Sequence, residues 1–265
     1  MSVINKEYLD LQKEILAEQA VWKKEILEGH TIEKQKLSLD IPFIEQININ
    51  LPIEKYQQWI LQLIEILSES QPAIKEDLNK IREIATELTL TSWLKEVISF
   101  NEYYFHKLAE EHNVSEWIPQ FLAEHALRPY LRALSDIYVD EIAETQPVGT
   151  CPCCGEPVRL ARLEGKVGKK VIYCPRCYAS WQEKRTKCSH CGKDHNDKMT
   201  YLQLENDPSM QIYICKDCNG YMKIIDSKER IKKEEPALLD LNTIHLDIVA
   251  QEKGYGVINN KEQVN

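Results

Sequence analysis

Cys151-Pro-Cys-Cys154, Cys174-Pro-Arg-Cys177, Cys188-Ser-His-Cys191 and Cys215-Lys-Asp-Cys218 are four Cys-x-x-Cys pairs within one quarter of a 265-residue chain. A two-residue gap folds into a tight knuckle whose two thiolates take adjacent corners of a tetrahedron, so two knuckles complete one four-sulfur site. Stretches of 19, 10 and 23 residues separate successive pairs. This long, short, long spacing groups Cys151, Cys154, Cys174 and Cys177 into one quartet, and Cys188, Cys191, Cys215 and Cys218 into a second.

The two long stretches repeat one design. After the first knuckle, Val158, Leu160 and Leu163 alternate with Arg159 and Arg162, a turn lies at Gly165 to Gly168, and Lys170 to Tyr173 runs into Cys174. After the third, Met199 to Leu204 is followed by a turn at Asn206, Asp207 and Pro208, and Gln211 to Ile214 runs into Cys215. Knuckle, strand, turn, strand, knuckle is the plan of zinc ribbons and rubredoxins, units too small to fold without their metal. Hairpins argue against an interleaved brace of pair one with pair three. A thioredoxin-type redox motif needs one such pair opening a helix, and disulfides suit an exported chain. Four thiolates accept zinc or iron alike, and a closed site leaves no position for water activation. Cys153 is a spare thiol between two ligands. His190 and His195 are left out because no ligand is missing.

Charge divides the chain at the same place. Residues 1–145 carry 14 Lys/Arg and 26 Asp/Glu, a net of −12, whereas residues 151–200 carry 11 and 5, a net of +6. No apolar run approaches the roughly 20 residues of a membrane helix. Met1 to Leu9 lacks an export signal, so the chain is expected in the reducing cytoplasm.

The first half reads as helices. Leu11, Ile15, Trp22 and Ile26 form one stripe, with Glu18 and Gln19 interrupting it, and Tyr56, Trp59, Ile60, Leu63, Ile64 and Leu67 a second. Ile74, Leu78, Ile81, Ile84, Ala85 and Leu88 form a third, and Leu94, Val97, Tyr104, Phe105 and Leu108 a fourth. A last helix starts with Ser115 as N-cap and holds Trp117, Phe121, His125 and Leu131, with Pro129 expected to kink it. These stripes predict a bundle of roughly five helices with Trp22, Trp59, Trp93 and Trp117 in its core. Leu39 to Leu51 is an extended connector that could add a short strand. His106, His112 and His125 lack ligand spacing, and no phosphate loop or nucleophile elbow is present.

The fold expected is therefore α+β: an N-terminal all-α bundle (residues 1–145), two tandem rubredoxin-like or zinc-ribbon β modules (146–186 and 187–235), and a partly helical C-terminal segment (236–265).

The chain resembles the formate dehydrogenase accessory proteins of the FdhE type. The resemblance rests on Cys151-Pro-Cys-Cys-Gly155, Tyr173-Cys-Pro-Arg-Cys177, Trp181 and Arg185 ahead of Cys188-Ser-His-Cys-Gly192, and Cys215-Lys-Asp-Cys218 with Tyr221 and Lys223. It extends to Leu127-Arg128-Pro129 with Leu131, and to Asp240-Leu241, Leu246-Asp247, Ala250 and Gly254-Tyr255. It implies a cytoplasmic, non-catalytic helper that binds the catalytic subunit of a molybdenum- or tungsten-dependent formate dehydrogenase. It also implies two metal ions on the eight paired cysteines, iron being favoured by the resemblance, with zinc the alternative. Arg128, Pro129, Trp181 and Arg185 are candidates for contacting the partner or bracing the domains. A rubredoxin-like electron carrier and a ribbon-type nucleic-acid or protein adaptor are the competing functions. The acidic first half counts against nucleic acid.

Overall fold

The computed structural model describes residues 4–194, 197–204, 207–227 and 234–256. The chain divides into two compact units, one of residues 6–33 and 48–133, the other of residues 34–47 and 134 onward, with the first five residues. No helix among the described residues is long and apolar enough to cross a membrane.

The first unit is helical. It holds α1 (Lys6–Glu28), α2 (Ile53–Ser70), α3 (Lys75–Ile84), α4 (Glu87–Ile98), α5 (Glu102–His112) and most of α6 (Trp117–Ile137). On α2, Tyr56, Trp59, Ile60, Leu63, Ile64 and Leu67 are all buried, and Trp59 stacks on Trp22 of α1 with ring centroids 5.4 Å apart. Gln19 breaks the α1 stripe for a reason: its side-chain amide donates to the carbonyl of His125 at 2.7 Å in the buried interior.

Three helical expectations are corrected here. The third and fourth stripes fall on three helices, because Thr86 caps α4 by accepting from the Thr89 amide and Asn101 caps α5 by accepting from Tyr104. Leu88 thereby moves onto α4, where it is 83% exposed. Ser115 does not cap α6 with its side chain; its hydroxyl and amide both donate to Asp77, at 2.6 and 2.9 Å. Trp117, in the first turn of α6, is 43% exposed rather than core, with its ring edge-on to Phe121. Helix α6 runs uninterrupted through Pro129.

The second unit centres on a six-stranded mixed sheet: β1 (Leu160–Glu164), β2 (Lys169–Tyr173), β3 (Ser180–Glu183), β4 (Met199–Leu204), β5 (Asp207–Cys215) and β6 (Tyr221–Asp226). The order is β3-β2-β1-β6-β5-β4. Each ribbon is an antiparallel hairpin with a third strand following its second knuckle. The two ribbons fuse into one sheet through the parallel pair β1–β6, Leu160 opposite Lys223 and Leu163 opposite Asp226. In the second hairpin Asp207 and Pro208 already belong to β5, while Asn206 lies outside the described residues.

The short helices α7 (Val139–Glu144), α8 (Pro236–Asn242) and α9 (Ile244–Glu252) complete this unit. Leu239, Leu246 and Ala250 of α8 and α9 pack on Leu160, Ile212, Ile214 and Ile225 of the sheet. Beside this apolar layer Lys223, fully buried, is held by Asp240 at 2.7 Å and Asp247 at 2.6 Å, and Arg159 reaches Asp240 and Glu156. A second buried pair, Lys170 to Glu183 at 2.6 Å, fixes β2 against β3 and continues to the third knuckle through Ser189, whose hydroxyl donates to Glu183. The connector from Leu39 to Leu51 forms no strand. It makes one 3-10 turn at Phe43–Glu45, with Phe43 packed on Tyr138.

Candidate metal centres

All four knuckles share one backbone plan. The amide of the residue after the second cysteine donates back to the carbonyl of the first: Gly155 to Cys151, Tyr178 to Cys174, Gly192 to Cys188 and Asn219 to Cys215, at 2.9–3.0 Å. The amide of the first cysteine in turn donates to the carbonyl five residues on, at Glu156, Ala179, Lys193 and Gly220. Closing this double loop needs a left-handed residue after the second cysteine, and φ there is +74°, +64°, +74° and +56°. Glycine fills it without strain at 155 and 192, and Asn219 tolerates it. Tyr178 is the costly exception, its hydroxyl anchored on Glu235 at 3.0 Å.

The knuckles meet in the order the spacing implies. Cys151, Cys154, Cys174 and Cys177 bring their sulfurs within 4.8 Å of one another, and Cys188, Cys191, Cys215 and Cys218 do the same. Cross-knuckle sulfur separations are 3.5 Å (Cys151–Cys177) and 3.6 Å (Cys154–Cys174) in the first quartet. In the second they are 3.7 Å (Cys188–Cys218) and 3.9 Å (Cys191–Cys215). A tetrahedron with metal–sulfur bonds of 2.3 Å has edges of about 3.8 Å, whereas a disulfide needs about 2.05 Å. The donor set and its spacing fit one ion per quartet, and none of the nine cysteines is in a disulfide.

The quartets differ in exposure. All four sulfur residues of the first are buried, whereas Cys191 and Cys218 of the second are half-buried. Burial pushes the thiols of Cys151, Cys154 and Cys177 well up. Burial acts on Cys174 in the same direction, but hydrogen bonds from Cys151, Cys154 and Cys177 outweigh it and hold Cys174 low. Four buried thiols this close together resist ionising together, and a divalent cation is what makes four thiolates stable there. Burial also raises Cys188, to about 11, and Cys218 further.

The surroundings of each quartet are built from backbone and cations. Arg176, buried inside the second knuckle, donates to the carbonyl of Cys154 at 3.4 Å. Lys193 stands over the second quartet in an ion pair with Asp217 at 3.0 Å. Positive charge at both places suits the net −2 of four thiolates on a divalent ion. His190 turns away from the sulfurs: its Nε2 donates to the carbonyl of Tyr221 at 2.6 Å, and Gly220 leaves room for its ring. His195 lies outside the described residues.

One contributor carries no sequence signal. Phe43 and Ile44 of the connector donate their amides to the carbonyls of Pro152 and Cys153, at 2.9 and 3.0 Å, inside the first knuckle. Cys153 itself is fully buried. Of the other candidates, Trp181 is buried on β3 opposite Ile172, and Arg185 is exposed, its guanidinium 3.4 Å from the Tyr213 hydroxyl. In the helical unit Arg128 pairs with Glu124 at 3.1 Å and Pro129 is buried in α6.

A helical unit together with a fused pair of ribbons, each carrying a closed four-sulfur site, defines a tandem-ribbon protein of the α+β class. Residues 186–261 match the family described as FdhE, C-terminal domain. The FdhE homolog of Aquifex aeolicus is 27% identical over 209 residues, covering 76% of this chain and 68% of that one. The FdhE homolog of Haemophilus influenzae (strain PittEE) is 26% identical over 254 residues, covering 92% and 81%. The crystal structure of the FdhE protein from Pseudomonas aeruginosa shares the fold, with a TM-score of 0.62 at 20% identity over 95% of this chain and 90% of that one. The chain is thus similar to FdhE proteins along most of its length, and its residues 186–261 match their C-terminal domain.

Proposed function

We propose that the chain is a non-catalytic cytoplasmic accessory protein that binds the catalytic subunit of a formate dehydrogenase and supports its maturation or assembly. The observation that carries this reading is the alignment with an FdhE homolog over 92% of the chain, which takes in both the helical half and the ribbons. The eight paired cysteines would hold two ions, iron favoured by family and zinc the alternative. An ion in either quartet has all four corners filled by protein sulfur, which leaves no site for substrate or water and supports a structural rather than a hydrolytic part for the metal. Within the chain the acidic helical half and the basic segment 151–200 offer a client two surfaces of opposite sign.

Affinity purification from cells making a formate dehydrogenase tests this. The catalytic subunit is expected to co-purify under mild conditions, and deletion of the gene to abolish formate oxidation. Failure to retain the subunit, together with intact formate oxidation in the deletion strain, contradicts the reading.

The half-buried Cys191 and Cys218 favour a second reading, an electron carrier of rubredoxin type acting through the second quartet. That role requires iron, since zinc has no redox change. A protein purified without oxygen that is red and bleaches reversibly supports it; a colourless zinc protein excludes it.

A further inference from the structure

The hairpin β4–β5 has two unlike faces. Ile212 and Ile214, with Leu202 against them, turn toward α8 and α9. Side chains alternate along a strand, so Met199, Tyr201 and Tyr213 lie on the opposite face. There Tyr201 stands directly across from Tyr213, ring centroids 6.3 Å apart, and Met199 across from Cys215 of the second quartet. Arg185, arriving from the end of β3, lays its guanidinium against the Tyr213 hydroxyl. With Thr186 and Thr200 these residues line an open recess of about 280 Å³.

Four features of the recess and its hairpin point to one kind of occupant. Arg185 is exposed and pairs with no carboxylate among the described residues, so its planar fork is oriented by Tyr213 yet unneutralised. Lys216 adds positive charge at the same end of the hairpin, its amide donating to the carbonyl of Lys198, whose own ammonium lies 4.0 Å from Asp197. Tyr201 is 61% exposed, and exposed tyrosine beside arginine is the composition of protein-binding hot spots. Finally, β4 ends the sheet order among the described residues, and every second N–H and C=O of an end strand points outward.

We propose that the recess and the open edge of β4 bind an extended acidic peptide segment of a protein partner, which adds beside β4 as a further strand and sets a carboxylate on Arg185. Strand addition supplies main-chain hydrogen bonds, and the alternate side chains of the guest fall into the recess. RNA fits less well, because it has no peptide main chain to pair with the N–H and C=O groups of an end strand. Naming the client as the source of the segment rests on the accessory role proposed above; the chemistry of the recess does not.

The test uses the full-length, metal-loaded protein and a fluorescein-labelled peptide of about ten alternating Glu and Val residues, read by anisotropy. The Glu peptide is expected to bind about tenfold or more tightly than its Gln counterpart, the change expected when one charge-assisted contact is lost. Arg185→Ala reduces it to the Gln level, Arg185→Lys keeps part of the difference, and amide exchange in residues 199–204 slows when peptide is bound. Unchanged circular dichroism and metal content show that both variants remain folded. Equal binding of the two peptides, affinity independent of Arg185, no slowing at 199–204, or tighter binding of a poly-uridine RNA overturns the proposal. Co-purification separates it from the accessory role. If Arg185→Ala retains the catalytic subunit as well as wild type does, the client-binding recess falls and the role stands; if wild type retains none, the role falls and the peptide assay still decides the recess.

Discussion

The Ile44 amide donates to the Cys153 carbonyl at 3.0 Å, across more than a hundred residues of sequence. With Phe43 and Pro152 it forms a two-rung clamp on the backbone of the first knuckle. Ile44→Pro removes one rung of the clamp, at a cost of about 1–3 kcal/mol. The expected result is a lower unfolding midpoint and faster chelator-driven metal loss from the first quartet alone. Equal loss from both quartets would show that the clamp is not specific.

The two quartets are expected to release metal in sequence. Chelators reach an ion by displacing exposed ligands first, and only Cys191 and Cys218 among the eight are half-buried. Under reducing conditions a chromogenic chelator should take up one equivalent from the second quartet well before the other. Cys218→Ser should remove the fast phase and leave the slow one. A single phase, or a fast phase lost in Cys154→Ser instead, contradicts this ordering.

Lys223 should be among the most sensitive positions in the ribbon unit. It is fully buried between Asp240 and Asp247. Burial works against the charge of Asp240, but Arg159 and Lys223 outweigh it and hold that carboxyl below its ordinary range. Lys223→Met leaves the Asp247 carboxylate with only the Tyr221 hydroxyl and Asp240 with Arg159, and should cost about 3–5 kcal/mol, measurable by denaturant unfolding. Adding Asp240→Asn and Asp247→Asn should restore part of that loss.

Acid should weaken the helical unit through His125. Burial, then the charges of Arg128 and Arg132, push its pKa well below the ordinary 6.5. The unfolded chain therefore binds a proton below 6.5 that the folded one refuses. Stability contributed by the neutral ring is intact above 6.5 and falls as pH drops beneath it, by up to about 1.4 kcal/mol per pH unit. Denaturant unfolding followed by the fluorescence of Trp22 and Trp59 should show this slope between about pH 5 and 6.5, and His125→Gln should flatten it. An unchanged slope in the variant would assign the acid sensitivity elsewhere.

The cysteine pairing was legible because a Cys-x-x-Cys knuckle has few chemical uses and the connecting lengths allow hairpins. Strands β3 and β6 leave little sequence signal, since each is short and mixes apolar with charged residues; Glu183 and Lys223 look like surface positions until their buried partners are known. Fusion of the ribbons through β1 and β6 is a long-range parallel pairing with no local signature. In the helical half the stripes marked the buried faces, but the boundaries depended on Thr86 and Asn101, ordinary residues until seen as caps. The clamp from Phe43 and Ile44 is made by backbone amides and leaves no mark in side-chain chemistry.

The measurement that bears most directly on the account is metal analysis with X-ray absorption on protein purified without oxygen. The account predicts about two ions per chain, each with four sulfur neighbours at about 2.3 Å. One ion per chain, nitrogen or oxygen in the shell, or sulfur–sulfur bonds near 2.05 Å in place of metal would contradict it.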